Sequence, residues 1–486
     1  MSALIPPASV TPGPTSWPVR VAVFAVCLSA LLLLVLPLRR LPLHVPINYN
    51  EGWNAYQADR AMTSQKLYPP SGDLVTNNYP PLSFYVFGAV GRLTGDNVIA
   101  GRLIAMSSFL LVGVNIAAVV FAGTRSVAMA TYSAALFVLF GTTRWLDYVG
   151  MADPQWLAHA AALSGLSVML YRPSQGVGVA AGTLTGLSLF VKHSVLPLPV
   201  ALLVFLAVNP SRLMWAWAGG FLTSTAVVGV AGTAWFGWSM WEGILLSPRD
   251  LSVWYTAEKA EAFLTPAMPL AVAAFLCVWL DDDRRRLSLP VLYAATACVW
   301  GVYCLSADGV NYNAVFDVVI SLCILVGLAG ARQNAPLALP VRLKSGLMVA
   351  TSVALLVPVP LALLQQYSAL QQLDRRRLEA EVDVSRIANT PGRVACEVLV
   401  LCYWAGKPWE IDVFNTAQKL HNGTIPTKTL IDAFASHRYS MIQSGSSPSS
   451  TPKLVWMPRP INDALATYYA PVHQDSHGML STPRHE

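Results

Sequence analysis

Long stretches with almost no polar position alternate with short polar connectors along three quarters of the chain. The first apolar run, 21–38, follows a polar, Pro-rich tail and has no small-residue cleavage site behind it, so it reads as an uncleaved anchor. Further runs lie near 98–121, 127–146, 153–171, 177–191, 195–208, 214–236, 266–280, 288–306, 314–331 and 344–364, which makes eleven. Apolar runs of this kind predict membrane-spanning helices. The pair 177–191 and 195–208 is split at "KHSVLPLP". Lys192 and His193 are costly in lipid, and the prolines that follow interrupt a helix.

Composition agrees with the pattern. Apolar residues make up 54% of 486 and charged residues 12%, and the mean hydropathy is +0.49. Soluble domains carry roughly 25% charged residues. The net charge of +6 is spread through short loops, which excludes a nucleic-acid footprint, and no internal repeat is evident. With the N-terminus inside, Arg125, Arg172, Arg212, the "DDDRRR" cluster, Arg332, Arg342 and Lys344 fall in cytoplasmic loops, as positive charge favours. Arg39 and Arg40 run the other way. An odd number of spans leaves everything after about residue 365 outside.

The expected architecture is thus a polytopic α-helical membrane protein of about eleven spans, residues 1–365, in the cytoplasmic (inner) membrane. A small extracytoplasmic α/β domain, 366–486, follows it. "DRRRLEAEVDVSRIA" has helical spacing, "RVACEVLVL" is strand-like, and "TLIDAFASHRYSMIQ" is a helix followed by a strand. The last 40 or so residues, rich in Ser, Pro and His, read as loosely ordered. Cys27, Cys277, Cys298, Cys304 and Cys323 lie in or near spans, where thiols behave as small apolar groups. Cys396 and Cys402 share the outer domain, where a disulfide survives. In one straight strand they would sit about 20 Å apart, so a bridge requires the chain to turn between them.

One polar segment is too long for a connector: "NYNEGWNAYQADRAMTSQKLYPP", then "NNYPPLSFY". "EGWNAYQADRAM" has amphipathic spacing and suits an interfacial helix with Trp53 and Tyr56 at headgroup depth. "YPPLSFYVFGAVGRL" is apolar but short, and its prolines suit a helix start, so it reads as a second interfacial or re-entrant helix. No His/Cys cluster has zinc spacing and no Gly-rich phosphate loop is present.

The order of these segments resembles the bacterial members of the GT-C glycosyltransferase superfamily, the protein O-mannosyltransferases and the aminoarabinose and galacturonic-acid transferases. An acidic first outer loop with "YPPLSFY" is similar to theirs, as are "DNVIAGRLIAMSSFLLVG", "YVGMADPQWLAHAAALSGL", "GTLTGLSLFVKHSVLPLPVALL", "GVNYNAVFDVVISLCILVG" and "AGKPWEIDVFNTAQKL". The resemblance runs from about residue 48 to 440. It implies transfer of a sugar from a polyprenyl-phosphate donor to a glycan, lipid or protein acceptor on the outer face of the bilayer.

It also implies roles for particular residues. Glu51 matches the catalytic acid and would act as general base; the plainer reading is a solvated loop glutamate or a helix N-terminal charge. Relatives often carry two adjacent acids there, whereas this chain has Asn50 before Glu51, which weakens a paired-carboxylate or metal mechanism. Asp153 would hold the acceptor or orient a divalent cation, or else cap a helix beginning at Pro154. Lys192 and His193 match a donor-phosphate position, against the alternative of a snorkelling lysine. Arg102 is another phosphate ligand, and Tyr79, where some relatives have lysine, would offer a hydroxyl. Asn50, Tyr56, Asp147, Asp308, Asn311 and Asp317 are expected near the substrate. A transporter or flippase, or a non-catalytic scaffold, remains as the rival class, although inverted repeats with broken charged helices are not visible.

Overall fold

A computed structural model describes residues 16–63, 65–246, 249–279, 288–330, 341–445 and 451–484. The "DDDRRR" cluster, Arg332 and the side chain of Cys277 lie outside the described residues.

Each of the eleven expected runs falls on a helix, but their lengths differ. Among the described residues six helices are long and apolar enough to cross a membrane, or seven if the pair Val253–Phe263 and Thr265–Leu276, bent by 42°, is one span. Gln175–Val191, Pro197–Val208 and Leu289–Leu305 are apolar but shorter. Side-chain caps begin several helices. Asp96 accepts from the amides of Val98 and Ile99 at the head of Asn97–Thr124, and Ser174 from that of Val177 at the head of Gln175–Val191. The split at "KHSVLPLP" is real: Lys192 is extended, and the chain re-enters a helix at Pro197.

Close approach of small residues joins Gln175–Val191 to Arg212–Phe236. A Cβ on Gly182 would stand 1.9 Å from the Trp217 carbonyl oxygen, and one on Gly220 would stand 2.1 Å from that of Val179. Backbones can come this near only without side chains between them. The arrangement holds the end of the first helix, and with it Lys192, against the bundle.

The segment expected to lie along the membrane surface does something else. Asn50–Met62 forms a helix in which every residue from Glu51 to Ala58 is buried. It packs on Leu82–Thr94 and Asn97–Thr124 on one side and on Leu399–Trp404 of the C-terminal region on another. Trp53 and Tyr56 therefore face protein. The Tyr56 hydroxyl donates to the Lys407 carbonyl at 2.7 Å and the Trp53 indole N–H to Asp412 at 3.0 Å. Gly52 is the contact point, since a Cβ there would meet the Val400 amide nitrogen at 2.2 Å. The amphipathic reading failed because Asn54 and Gln57, which look like a wet face, donate to the carbonyls of Ala152 and Thr76 inside the protein.

Toward the C-terminus the helix Val359–Asn389 runs unbroken through residue 365. Joined with the helix before it, it spans 48 residues, Arg342–Asn389. At 1.5 Å per residue that is about 70 Å, more than twice a bilayer's hydrocarbon core, so its polar last turns extend well past the apolar part. Beyond it lies a four-stranded sheet: β1 (Val394–Cys396), β2 (Met441–Ser444), β3 (Tyr469–Asp475) and β4 (Gly478–Pro483). Their spatial order is β1-β2-β4-β3, with β1 parallel to β2 and the other pairs antiparallel. A core of its own, including Phe434, Tyr439, Ile461 and Tyr469, backs the sheet. The Ser-, Pro- and His-rich end, read as loose, supplies the helix Arg459–Tyr468 and the β3–β4 hairpin. Leu465, Tyr469 and Leu480 bury enough apolar surface to fix it. Cys396 and Cys402 form a disulfide with Cα atoms 6.0 Å apart, since the chain turns from β1 into the helix Leu399–Trp404.

Candidate active site

A cavity of about 560 Å³ opens where the apolar helices, the polar segment after the first of them and the C-terminal sheet domain meet. The first loop contributes Tyr49, Asn50, Trp53, Asn78 and Tyr79, and the break after Val191 contributes Lys192, His193 and Ser194. Arg249, Trp300, Tyr303, Asn311 and Asp317 come from later loops and helices; Asp412, Phe414 and Asn415 come from the outer domain. Aromatic walls with a few convergent charges are the usual make-up of a ligand site.

Lys192 is its most exceptional group. The side chain is buried, and its Nζ makes no hydrogen bond among the described residues. It sits 3.1 Å from the centroid of the Tyr79 ring and 3.9 Å from Asp153 Oδ2. A cation held by a ring face and one distant carboxylate keeps donors in hand for an anion. His193 Nδ1 is likewise unpartnered. Asp153 Oδ1 accepts the Gln155 amide at 2.8 Å at the start of the helix Gln155–Tyr171, and Oδ2 faces Lys192. It stands behind Lys192 and does not line the cavity.

Glu51 and Arg102 do not reach the cavity. Both side chains are fully buried and pair with each other, Nε to Oε1 at 2.7 Å and the second terminal nitrogen to Oε2 at 2.7 Å. Glu51 also accepts the amides of Ile47 at 3.0 Å and Ala152 at 3.2 Å, so each oxygen takes two donors. Arg102 gives its other N–H groups to the carbonyls of Arg40, Leu43 and Val45. Five donors and four acceptor positions are the full capacity of these two groups. In this arrangement Glu51 has no lone pair for a substrate proton and Arg102 has no donor for a phosphate. Asn50, the departure from the paired acids of the relatives, is the member of the "NE" pair that faces the cavity.

The remaining candidates divide. Tyr79, Asn311 and Asp317 line the cavity; Asp317 takes the Tyr293 hydroxyl at 2.5 Å and lies 3.6 Å from His159. Tyr56 is turned away. Asp147 is largely exposed and 4.0 Å from Arg40, outside the cavity. Asp308 lies at its edge, its carboxylate accepting from Gln418 at 2.7 Å and its carbonyl from Arg249 at 2.9 Å.

Two groups escaped the sequence reading. Arg249 lies with Lys259 in a loop expected on the outer side, where positive charge is disfavoured. Asp412 lies inside the quoted segment "AGKPWEIDVFNTAQKL". It caps the helix Val413–His421 and accepts from the Trp53 indole and, at 2.7 Å, the Asn415 side chain. Burial pushes its carboxyl above the usual range, with the bonds from Asn415 and Trp53 acting in the opposite sense. A carboxylate with raised basicity at a cavity wall suits proton abstraction.

No family model matches the sequence, and no curated protein does. The fold is that of the GT-C membrane glycosyltransferases. Among solved structures, ArnT from Cupriavidus metallidurans bound to undecaprenyl phosphate is 15% identical, with a TM-score of 0.59 over 96% of this chain and 97% of that one. The Archaeoglobus fulgidus oligosaccharyltransferase tethered with an acceptor peptide is 10% identical, with a TM-score of 0.52 over 96% of this chain and 74% of that one.

Proposed function

We propose that this chain is a membrane glycosyltransferase that moves a sugar from a polyprenyl-phosphate donor to an acceptor hydroxyl on the outer face of the inner membrane. The N-terminus lies inside and the sheet domain outside. The observation that carries the reading is the buried Lys192 with its unused donors, set in a cavity that also holds Arg249 and Asp412. The likeness in fold to ArnT with its undecaprenyl phosphate supports the lipid donor.

In this reading Lys192 and Arg249 bind the donor phosphate, and His193 and the Tyr79 face border it. The acceptor oxygen attacks the anomeric carbon and forms the new glycosidic bond. The bond from that carbon to the phosphate oxygen breaks, and its electron pair leaves with polyprenyl phosphate, whose charge the two cations stabilise. Asp412 takes the acceptor's proton. Asn50 hydrogen-bonds the reacting groups, and the Glu51–Arg102 pair fixes the loop that presents it. Asp153 holds Lys192 in place. The acceptor, whether glycan, lipid or protein, is met from the side of the outer domain.

The test is binding and turnover by purified protein in lipid nanodiscs. Undecaprenyl phosphate should bind the wild type and bind Lys192→Met at least tenfold more weakly, with both proteins equally folded. Lipid-linked sugar supplied as donor should yield free polyprenyl phosphate in the presence of acceptor. Equal affinity in the two proteins removes Lys192 from the site. Translocation of the lipid-linked sugar without loss of the sugar would make the chain a flippase instead.

A further inference from the structure

The tip of the β3–β4 hairpin meets the polar end of the helix Val359–Asn389, and none of the residues at this junction lines the cavity. Two contacts tie it there: Ser476 donates to Glu379, and His477 Nε2 lies 2.7 Å from the Arg376 carbonyl. Between them stand three further groups. Asp383 projects from the helix, and His473 and Asp475 project together from β3, as residues two apart on a strand share a face. A register shift between Pro471 and His473 sets their direction.

We propose that Asp383, His473 and Asp475 form a binding site for a divalent transition-metal ion, with zinc as the best fit. One ligand atom from each lies within 4.8 Å of the other two. His473 Nε2 is 3.7 Å from Asp383 Oδ1 and 3.6 Å from Asp475 Oδ2. Zinc bonds to imidazole nitrogen and carboxylate oxygen are about 2.0–2.2 Å, which in a tetrahedron separates neighbouring ligand atoms by about 3.3–3.6 Å.

Independent of the distances, both carboxylates are unsatisfied. The Asp383 and Asp475 side chains are 3% and 7% exposed, yet Asp383 Oδ1 and Asp475 Oδ2 have no hydrogen-bond partner among the described residues. Among the described residues no arginine or lysine forms an ion pair with either carboxylate, and the charge of Arg386 acts on Asp383 only from farther away. Two buried acids facing one another across an imidazole, each with an unpartnered oxygen, call for a cation. Asp475 Oδ1 is already held by the His477 amide at 2.8 Å, which orients Oδ2 toward the site as an outer-shell partner does. His473 is partly exposed, so the ion has a path in and a water can complete the tetrahedron. One nitrogen and two oxygens suit zinc, and among common divalent ions zinc is bound tightly by such sets. Sequence spacing gave no sign of it because Asp383 comes from far upstream of the His473–Asp475 pair. The ion would clip the chain's last hairpin to the helix that rises from the membrane.

The full-length protein in detergent, stripped with EDTA and dialysed, tests this. Zinc alone should bind at one equivalent per chain above the level retained by Asp383→Asn/Asp475→Asn, and should raise the wild-type melting temperature in a concentration-dependent way. The double variant should fold, because it removes the like charges, and its melting temperature should not respond to zinc. His473→Gln should weaken zinc binding at least tenfold. Equal zinc binding by wild type and double variant overturns the proposal. So does a wild type that binds no zinc at micromolar concentrations, whose carboxylates then share a proton.

Discussion

Replacing Glu51 with glutamine distinguishes the two roles that the sequence offers it, general base and structural charge. In the structure the change removes the counter-charge of a fully buried guanidinium while leaving three of its hydrogen bonds, to the carbonyls of Arg40, Leu43 and Val45. Breaking a buried ion pair from one side costs roughly 3–5 kcal/mol. Those three bonds survive, and glutamine still offers one oxygen, so the lower end, about 3 kcal/mol, is expected. That is a large share of a stability of roughly 5–15 kcal/mol. Glu51→Gln should therefore melt earlier and be cleaved faster at the first outer loop by limited proteolysis. Turnover per folded molecule should fall less than the total activity does. Glu51→Gln/Arg102→Met, which removes both charges, should show a coupling of about 1–3 kcal/mol in a double-mutant cycle. A Glu51→Gln protein of unchanged stability with turnover down about 10²-fold, the scale of a lost general base, would refute this reasoning and return the base to Glu51.

Asp412→Asn should lower turnover by about 10²-fold with little change in donor affinity. Because burial raises the Asp412 carboxyl, wild-type activity should climb with pH through a limb above the ordinary carboxylate value of about 3.9; loss of that limb in the variant is the check, read from the pH profile of turnover. Gly182→Ala places a methyl group where the Trp217 carbonyl stands 1.9 Å away. Overpacking of this kind costs about 1–3 kcal/mol, read as a fall in melting temperature. Lys192 at the end of the same helix shifts with it, so donor binding should weaken as well.

Much of the helical layout was legible because long apolar runs have few alternatives, and the break at Lys192 because charge and proline act at one place. Lys192, His193, Tyr79, Asn50, Asn311 and Asp317, singled out mainly by the resemblance to the GT-C transferases, all line the cavity. What stayed hidden is pairing across distance. Arg102 lies within an apolar run, and no spacing rule ties it to Glu51, yet the two saturate each other. The helix Asn50–Met62 reads as half-wet because Asn54 and Gln57 hide their partners in other segments. The hairpin at the end was concealed by a Ser- and Pro-rich composition, although Tyr469 and Leu480 carry enough apolar area to order it.

The wall that Asp412, Phe414 and Asn415 give to the cavity is the last part of it to leave the ribosome. A nascent chain that already has Asn50, Tyr79 and Lys192 in place holds one side of the chamber while the opposite side is still unmade. Trp53, which waits beside Asp412, and Gly52, which waits beside Val400, then receive the late-arriving domain. Under the proposed function, assembly order acts as a safeguard against discharge by a half-synthesised chain, and a truncation shortly before residue 412 should yield a protein that binds undecaprenyl phosphate without turning over a lipid-linked sugar.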